Sequence, residues 1–231
     1  MIAVLHRAFG PKFRSNDRGI TIIELLVTFV IVAILSTVVI GAYASTTKAL
    51  TVANSLNRNT KQAANGMNES SREIRAATDN PISGNTSDPA VFQAYTESVV
   101  IYAYVNLQSS SAQLPVMVRL RVDPTTRQLI EDLWPGTQNS SGYWTFPATT
   151  TAPRSTIILA STVAPQAGTN PYLFTYMAGT TPLIVPTTGS FTAAQRGSIT
   201  AIKITLTIQG SLTDASRPVT LQNTVGMPNL S

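Results

Sequence analysis

The sequence predicts an α+β protein in which a long N-terminal helix packs on an antiparallel, β-rich C-terminal head. Three observations predict this fold class: a continuous apolar run at residues 20–40, the absence of proline between Pro11 and Pro81, and a change beyond Pro81 to residues that alternate between apolar and polar. We expect a leader at residues 1–19, a membrane-spanning helix at 20–41, an amphipathic stalk helix at 42–78 and the head at 79–231.

The expected leader holds much of the chain's positive charge. The 231 residues carry 16 Lys and Arg against 11 Asp and Glu, a net charge of +5. Four of the bases and one of the acids lie in residues 1–19, so the other 212 residues hold 12 bases and 10 acids, a net charge of +2. Bases beside one end of an apolar helix place that end in the cytoplasm. The basicity therefore indicates membrane orientation, and a nucleic-acid partner is not favoured.

Residues 20–40 are expected to form a helix that spans a membrane. They include one charged residue, Glu24, and at about 1.5 Å per residue they extend about 30 Å, the thickness of the hydrocarbon core of a bilayer. The buried helix of a soluble protein is rarely apolar on every face over this length. A carboxylate in such a segment costs about 2.5–3.5 kcal/mol at the helix centre and less near an end. Glu24 either reaches back to the membrane interface or is kept for a partner.

The residues around Glu24 form a specific pattern. The segment RGITIIELLV at residues 18–27 resembles the N-terminal signature of type IV pilins and type II secretion pseudopilins, in which a short basic leader ends in Gly and Glu is the fifth residue after the cut. The resemblance implies that prepilin peptidase cuts between Gly19 and Ile20, that Ile20 becomes an N-methylated N-terminus, and that Glu24 directs filament assembly. Ile20 departs from the Phe or Met that is commoner in the family.

The same resemblance implies partners and a location. The partners would be prepilin peptidase, other pilins or pseudopilins that contact the N-terminal helix, the inner-membrane assembly platform and membrane lipid. The chain would cross the cytoplasmic membrane once, with its N-terminus in the cytoplasm and its head outside, before assembly into a filament. The apolar residues of this membrane helix include Ile20, Leu25, Leu26, Val27, Phe29 and Ile40.

Cleavage would give Glu24 a chemical partner. A cut after Gly19 creates an ammonium group at Ile20, at the start of the apolar helix. In a helical array, the carboxylate of Glu24 in one chain can neutralise the ammonium group of a neighbour, so that two charges removed from water are paired only on assembly. The cost of an unpaired Glu24 then favours docking of the subunits in one register.

Cleavage by ordinary signal peptidase is the alternative interpretation. Ala42-Tyr43-Ala44 matches the small-residue pattern that this enzyme cuts, which would place the cut before Ser45. The apolar run, however, is longer than the usual signal-peptide core of about 7–15 residues, and a Glu inside that core is unusual. Under this alternative, the chain is a secreted or membrane-anchored β-rich adhesin or binding protein that does not polymerise.

The stalk helix and the strands of the head are predicted from periodicity. Apolar residues recur at helical spacing to about Ala77, but several Asn and Gly66 weaken this helix, so it needs support from the head. Alternation with period 2 predicts half-buried strands at 116–122 and 202–208. Asp123-Pro124-Thr125-Thr126 is expected to form a turn. Further candidate strands are residues 98–105, 127–133, 156–160, 172–177 and 218–224.

The order of the predicted strands gives a narrower resemblance. Residues 99–134, and a C-terminal strand, loop and strand that close at Asn223, look like the J-type minor pseudopilins of type II secretion and their PilW-like relatives in type IV pili. The eight residues after Asn223 depart from that pattern. The resemblance implies a place in the tip complex that primes assembly. Glu24 argues against the outermost place there, because that subunit typically lacks this glutamate.

Catalysis and metal binding are largely excluded by residue type. The only His lies in the leader and the chain has no Cys, so the cleaved chain can form no His- or Cys-dependent nucleophile and no His- or Cys-ligated metal site. No glycine-rich phosphate-binding loop is present. We therefore expect a non-enzymatic protein with no cofactor and no metal. Calcium binding by Asp123, Glu131 or Asp132 stays open, although no EF-hand spacing supports it.

The charged and aromatic residues of the head are expected to be structural. Glu131 and Asp132 are adjacent in a predicted strand, so their side chains point to opposite faces, and we expect a solvated edge. Arg119 and Arg121 share one strand face, which we expect to be solvated rather than bound to nucleic acid. Four aromatic residues are expected to close over the edge of the core rather than form an exposed contact patch: Trp134, Tyr143, Trp144 and Phe146.

Overall fold

Helix α1 (Ile22–Arg75) is the longest element of the chain, with 54 residues. The computed structural model describes residues 19–83, 86–104, 114–166, 171–186, 190–211 and 217–230. The chain divides into two compact units, residues 1–51 and 52–231. Helix α1 contributes residues 22–51 to the first unit and residues 52–75 to the second.

The first unit, as far as the structure describes it, consists of the apolar part of α1. Every residue from 22 to 51 is exposed. Threonine hydroxyls along this part donate hydrogen bonds to the carbonyl oxygen four residues earlier, as Thr28 does to Glu24 (2.7 Å) and Thr37 does to Ala33 (2.9 Å). These bonds leave no free hydroxyl donor at either position, which suits a helix in apolar surroundings.

The second unit begins with the remainder of α1, and this part is amphipathic. Its buried residues are Asn59, Ala63, Gly66, Met67, Ser70, Ser71, Glu73 and Ile74. Arg72 and Arg75 lie in its last turn, where positive charge is favourable because the carbonyl end of a helix is partly negative. The predicted apolar stripe is therefore confirmed from Ala63 to Ile74, whereas Leu50 and Tyr43 are exposed.

Two antiparallel sheets form most of the head. The larger sheet contains β3 (Val91–Ala94), β4 (Ser98–Ala103), β5 (Val116–Val122), β6 (Leu129–Pro135) and β9 (Ser155–Ala160). The smaller contains β10 (Phe174–Ala178), β11 (Thr181–Leu183), β12 (Ala201–Ile208) and β13 (Val219–Gly226). The strands lie in the order β3-β4-β5-β6-β9 in the larger sheet and β11-β10-β12-β13 in the smaller.

Smaller elements complete the described part of the head. Strands β1 (Asn80–Ser83) and β2 (Thr86–Asp88) form one two-stranded sheet, and β7 (Thr137–Gln138) and β8 (Trp144–Thr145) form another. Helix α2 (Ala193–Gly197) starts at Thr192, whose side chain accepts a hydrogen bond from the Gln195 backbone N–H. The Gln195 side chain in turn accepts from the Thr192 backbone N–H, so the two residues form a complete capping box.

The buried face of α1 packs closely on both sheets. A methyl group built on Gly66 would lie 3.1 Å from Leu206 Cδ2 in β12, 3.2 Å from Ala160 Cβ in β9 and 3.4 Å from Leu129 Cδ2 in β6. Gly66 therefore lets the helix approach the sheets more closely than any other residue would. The main core is continuous across the helix and both sheets.

The α+β fold class predicted from the sequence is confirmed. The structure has strands at each predicted position, with shifts of one or two residues at their ends, and the predicted turn at Asp123 joins β5 to β6. The helix ends at Arg75, slightly before the expected Ala77. Residue 105, the last of one predicted strand, lies outside the described residues. Sequence periodicity missed the short elements β1, β2, β3, β7, β8, β11 and α2.

Candidate functional site

The predicted cleavage position lies immediately before α1. Gly19 and Ile20 precede the first helical residue, Ile22, and Ile20 is 74% exposed. No heavy atom lies within 4 Å of the position that a Cβ on Gly19 would occupy, outside its chain neighbours. Among the described residues, none blocks the bond between Gly19 and Ile20 at these two positions, and access by a peptidase requires such space. The leader residues 1–18 lie outside the described part of the chain.

Glu24 lies in the first turn of α1 and has a local role that the sequence reasoning missed. Its backbone N–H donates a hydrogen bond to Thr21 Oγ1 at 3.2 Å, and the Leu25 N–H donates to the Thr21 carbonyl at 3.1 Å. Thr21 is therefore the N-cap of the helix, with Glu24 three residues later. The sequence T-x-x-E is the signal that predicts this cap. The carboxylate of Glu24 also lies at the positive end of the helix dipole, where negative charge is stabilised.

The apolar residues predicted for the membrane helix are all exposed. Their exposed fractions range from 48% for Leu25 to 74% for Ile20. The other predicted residues are Leu26, Val27, Phe29 and Ile40. Among the described helices, α1 is the one long and apolar enough to cross a membrane. Apolar surface on all sides of a helix is unstable in water, so this part requires lipid or neighbouring helices around it.

The expectation that Glu131 and Asp132 form a solvated edge is wrong. Strand β6 is an interior strand of the larger sheet, between β5 and β9, and the two side chains are only 4% and 1% exposed. Their predicted orientation to opposite faces is consistent with their different partners. Asp132 binds arginines of the neighbouring strand, whereas Glu131 lies beside two glutamates of α1.

Asp132 is the centre of a buried ion-pair network. Its Oδ2 accepts hydrogen bonds from Arg119 Nε (3.0 Å) and Nη2 (2.7 Å) and from Arg121 Nε (2.7 Å), and its Oδ1 accepts from Thr156 Oγ1 (2.8 Å). Burial alone would raise the pKa of Asp132, but the hydrogen bonds from both arginines and Thr156 outweigh it and hold the pKa below its ordinary value. The positive charges of Arg119 and Arg121 are therefore paired with a carboxylate, which further disfavours these residues as a binding site for nucleic acid.

Glu131 faces α1 and joins a second cluster. One carboxylate oxygen from each of Glu69, Glu73 and Glu131 lies within 4.8 Å of the other two. Arg72 pairs with Glu69, and Arg72 Nη2 donates to Glu73 Oε1 at 2.8 Å. Burial and the nearby Glu131 raise the pKa of Glu73 to about 7. Burial and the nearby Glu69 likewise raise the pKa of Glu131. The third candidate calcium ligand, Asp123, lies apart in the exposed turn after β5, bonded to Thr125 and Thr126.

The aromatic residues close over a second, smaller core, as predicted. Trp134 is buried at 1% exposure, and its Nε1 donates to the Thr151 carbonyl at 3.0 Å. Phe146 packs on Tyr102 with ring centroids 4.9 Å apart. Tyr143 and Trp144 are partly buried. The guanidinium carbon of Arg119 lies 5.0 Å from the centroid of the Trp134 ring, so this core also supports the Asp132 network.

Comparison with known families identifies the N-terminal segment. Residues 14–40 match the prokaryotic N-terminal methylation motif. No curated protein matches the chain. The matched segment includes Gly19, Ile20 and Glu24 but no residue of the head, so it describes the N-terminus alone. The chain therefore carries the N-terminal signature of type IV pilins and pseudopilins over these residues.

Proposed function

We propose that the chain is a minor pilin or pseudopilin: a non-catalytic subunit that prepilin peptidase cuts after Gly19 and that joins a filament through α1. The observation that carries this proposal is the combination of a methylation motif at residues 14–40 with a helix whose apolar residues are exposed on every side. In the precursor, lipid covers this surface. In the filament, the same surface packs on the helices of other subunits and on the assembly platform of the inner membrane.

Glu24 sets the register of that packing. Glu24 is four residues after the new ammonium group at Ile20, in the first turn of a helix whose N-terminus already favours negative charge. In the filament it pairs with the Ile20 ammonium of a neighbouring chain. Removal of both charges from water is offset only when the two groups meet, so assembly in the wrong register leaves two unpaired ions.

We propose that the head makes protein contacts and does not catalyse a reaction. In the described part of the head, the buried carboxylates Glu131 and Asp132 belong to separate clusters, one facing α1 and one facing Arg119 and Arg121. The pairing of the long strands β12 and β13 near the C-terminus is in keeping with J-type and PilW-like subunits, although β13 extends past Asn223 to Gly226. We propose a place in the priming tip complex, below the outermost subunit.

Substitution of Glu24 tests this proposal. In cells that carry the chain's own filament machinery, Glu24→Leu is expected to leave leader cleavage intact and to remove the protein from the sheared filament fraction. Thr28→Val is the matched control, because it also exchanges a polar for an apolar residue on α1, one turn later. The control is expected in filaments at the wild-type level, as measured by quantitative immunoblotting of sheared and membrane fractions.

Two results would contradict the proposal. If Glu24→Leu enters filaments as the wild type does, then Glu24 does not set the register. If the wild-type protein is never found in filaments but its deletion abolishes adhesion, then the chain is a membrane-anchored adhesin that does not polymerise.

A further inference from the structure

Three glutamates meet where the end of α1 packs on the larger sheet. Glu69 and Glu73 lie one helical turn apart on α1, and Glu131 projects toward them from β6. One oxygen of each carboxylate lies within 4.8 Å of the others. Two oxygens bound to one calcium ion at about 2.3–2.6 Å are separated by at most about 5 Å, so this spacing suits three ligands of a single ion.

The two deeper glutamates lack partners for one oxygen each. Glu73 is 1% exposed and Glu131 is 4% exposed, and among the described residues Oε2 of each is buried without a hydrogen-bond partner. Ionised carboxylates are rarely buried unless they are paired or coordinate a metal. Arg72 binds Glu69 and Glu73, but when all three carboxylates are ionised, one guanidinium leaves the cluster with a net charge of −2.

The charge, the ligand type and the access all fit a hard divalent cation. A charge of +2 neutralises the cluster, and carboxylate oxygens are the ligands that Ca²⁺ prefers. The side chain of Glu69 is 33% exposed, so it connects the two buried carboxylates with solvent and leaves coordination positions open to water. No other group of three acidic side chains in the described part of the chain meets this geometry.

We propose that Glu69, Glu73 and Glu131 bind one Ca²⁺, which joins the end of α1 to β6. This site goes beyond the assembly role proposed above and does not depend on it. The ion replaces repulsion between the carboxylates of α1 and β6 by their binding to one shared cation. In this way it fixes the head on the stalk part of α1. A head held in this way keeps the same orientation in every copy of the subunit, provided that Ca²⁺ is present.

Direct binding tests the site. The full-length chain in detergent is stripped with EDTA, dialysed and titrated with CaCl2 in a calorimeter at neutral pH. We expect one Ca²⁺ per chain, and at least tenfold weaker binding for Glu131→Gln, which keeps the shape of the side chain and removes its charge. Glu97→Gln is the matched control, because the carboxylate of Glu97 pairs with Arg127 and is not a member of the cluster. The control is expected to bind Ca²⁺ as the wild type does.

Thermal unfolding of the same proteins provides a second readout. In millimolar CaCl2 the wild type is expected to unfold about 5 °C above its value in EDTA. Glu131→Gln is expected to show no such shift and to be at least as stable as the wild type in EDTA, because it relieves repulsion. The wild type is therefore expected to have the higher melting temperature in CaCl2, and Glu131→Gln is expected to have an equal or higher melting temperature in EDTA. Glu73→Gln provides the same comparison if Glu131→Gln does not fold.

The proposal is overturned if the wild type shows neither heat of binding nor a shift in melting temperature with Ca²⁺. It is also overturned if Glu131→Gln binds Ca²⁺ as tightly as the wild type does. If the Gln variant is more stable than the wild type in both EDTA and CaCl2, then the glutamates share a proton rather than a metal ion.

Discussion

Replacement of Asp132 by Asn tests how the head is held together. The carboxylate is 1% exposed and accepts four hydrogen bonds, three from two arginines and one from Thr156. Asn keeps the shape, but it has no charge, and its amide N–H₂ group adds donors where donors already converge. Two guanidinium groups are then left beside each other without the anion that they share.

The expected loss of stability in Asp132→Asn follows from the burial of the ion pairs. Removal of one partner from a buried ion pair costs about 3–5 kcal/mol. Arg119 and Arg121 are 21% and 28% exposed, so both retain some access to water, and Arg119 Nη1 keeps its bond to the Thr149 carbonyl at 3.1 Å. We therefore expect Asp132→Asn to lower the free energy of unfolding by about 2–4 kcal/mol at neutral pH, slightly less than for a fully buried pair.

The loss of stability in Asp132→Asn also depends on pH and becomes smaller in acid. The pKa of Asp132 in the folded protein lies below its ordinary value of 3.8, so the folded state favours the ionised form. The stabilisation is complete above the unfolded pKa and disappears as the pH falls through the folded pKa. The difference in stability between the wild type and Asp132→Asn is therefore constant near neutrality and narrows below about pH 4.

Urea unfolding followed by tryptophan fluorescence measures this difference. Both tryptophans, Trp134 and Trp144, lie in the head, so the signal reports the unit in which Asp132 is buried. Asp123→Asn is the control for an exposed charge beside the same arginine. It removes the 3.7 Å ion pair with Arg121, whereas Asn still accepts the hydrogen bonds from Thr125 and Thr126, so it is expected to change stability little. If Asp132→Asn is as stable as the control at pH 7, or if its loss of stability grows in acid, then the charge of Asp132 does not stabilise the head through the two arginines.

Two further changes test the packing of the head. Gly66→Ala is expected to lower the free energy of unfolding by about 1 kcal/mol, because overpacking against both sheets outweighs the gain in helix propensity. Asn65→Ala, at the exposed neighbouring position, should instead raise it by about 0.5 kcal/mol. Equal effects of the two changes in urea unfolding would contradict the close approach of α1 to the sheets at Gly66. Tyr176→Phe is expected to cost about 1–2 kcal/mol in the same assay, because the buried hydroxyl donates to the Tyr95 carbonyl at 2.8 Å. An unchanged midpoint for Tyr176→Phe would show that this hydrogen bond does not stabilise the head.

Local patterns were sufficient to predict most of the fold. The alternation in β5 and β12 reflects one face of each sheet against the core, and this pattern is independent of which strands become neighbours. The turn at Asp123 was predictable because Asp followed by Pro favours a turn whatever lies around it. The cap formed by Thr21 is equally local, but its signal, T-x-x-E, coincides with the pilin pattern, which does not by itself indicate a helix cap.

The environment of Asp132 could not be predicted without strand order. Burial of β6 depends on β9, which pairs with it from more than 20 residues away, and no local signal identifies that neighbour. The pairing of Asp132 with Arg119 was more accessible. A hairpin through the turn at Asp123 places these two residues opposite each other, so working out the register would have predicted an ion pair in place of two solvated charges.

The acidic cluster was unpredictable for the same reason. Glu69 and Glu73 are one turn apart on a helix and could have been ordinary surface residues, and only the packing of α1 on β6 brings Glu131 to them. The role of Gly66 likewise depends on tertiary packing. In the sequence it weakens a helix, whereas in the structure it is the point of closest approach between α1 and both sheets.

The N-terminus of the mature protein shows whether prepilin peptidase processes the chain. Intact-mass and N-terminal peptide mass spectrometry, applied to protein purified from the membranes of its own cells, reads the cleavage site and any methyl group together. A chain of 212 residues that begins at Ile20 with a methylated amine is the predicted result. A chain that begins at Ser45, or one that keeps Met1, would contradict processing by prepilin peptidase and with it assembly through Glu24.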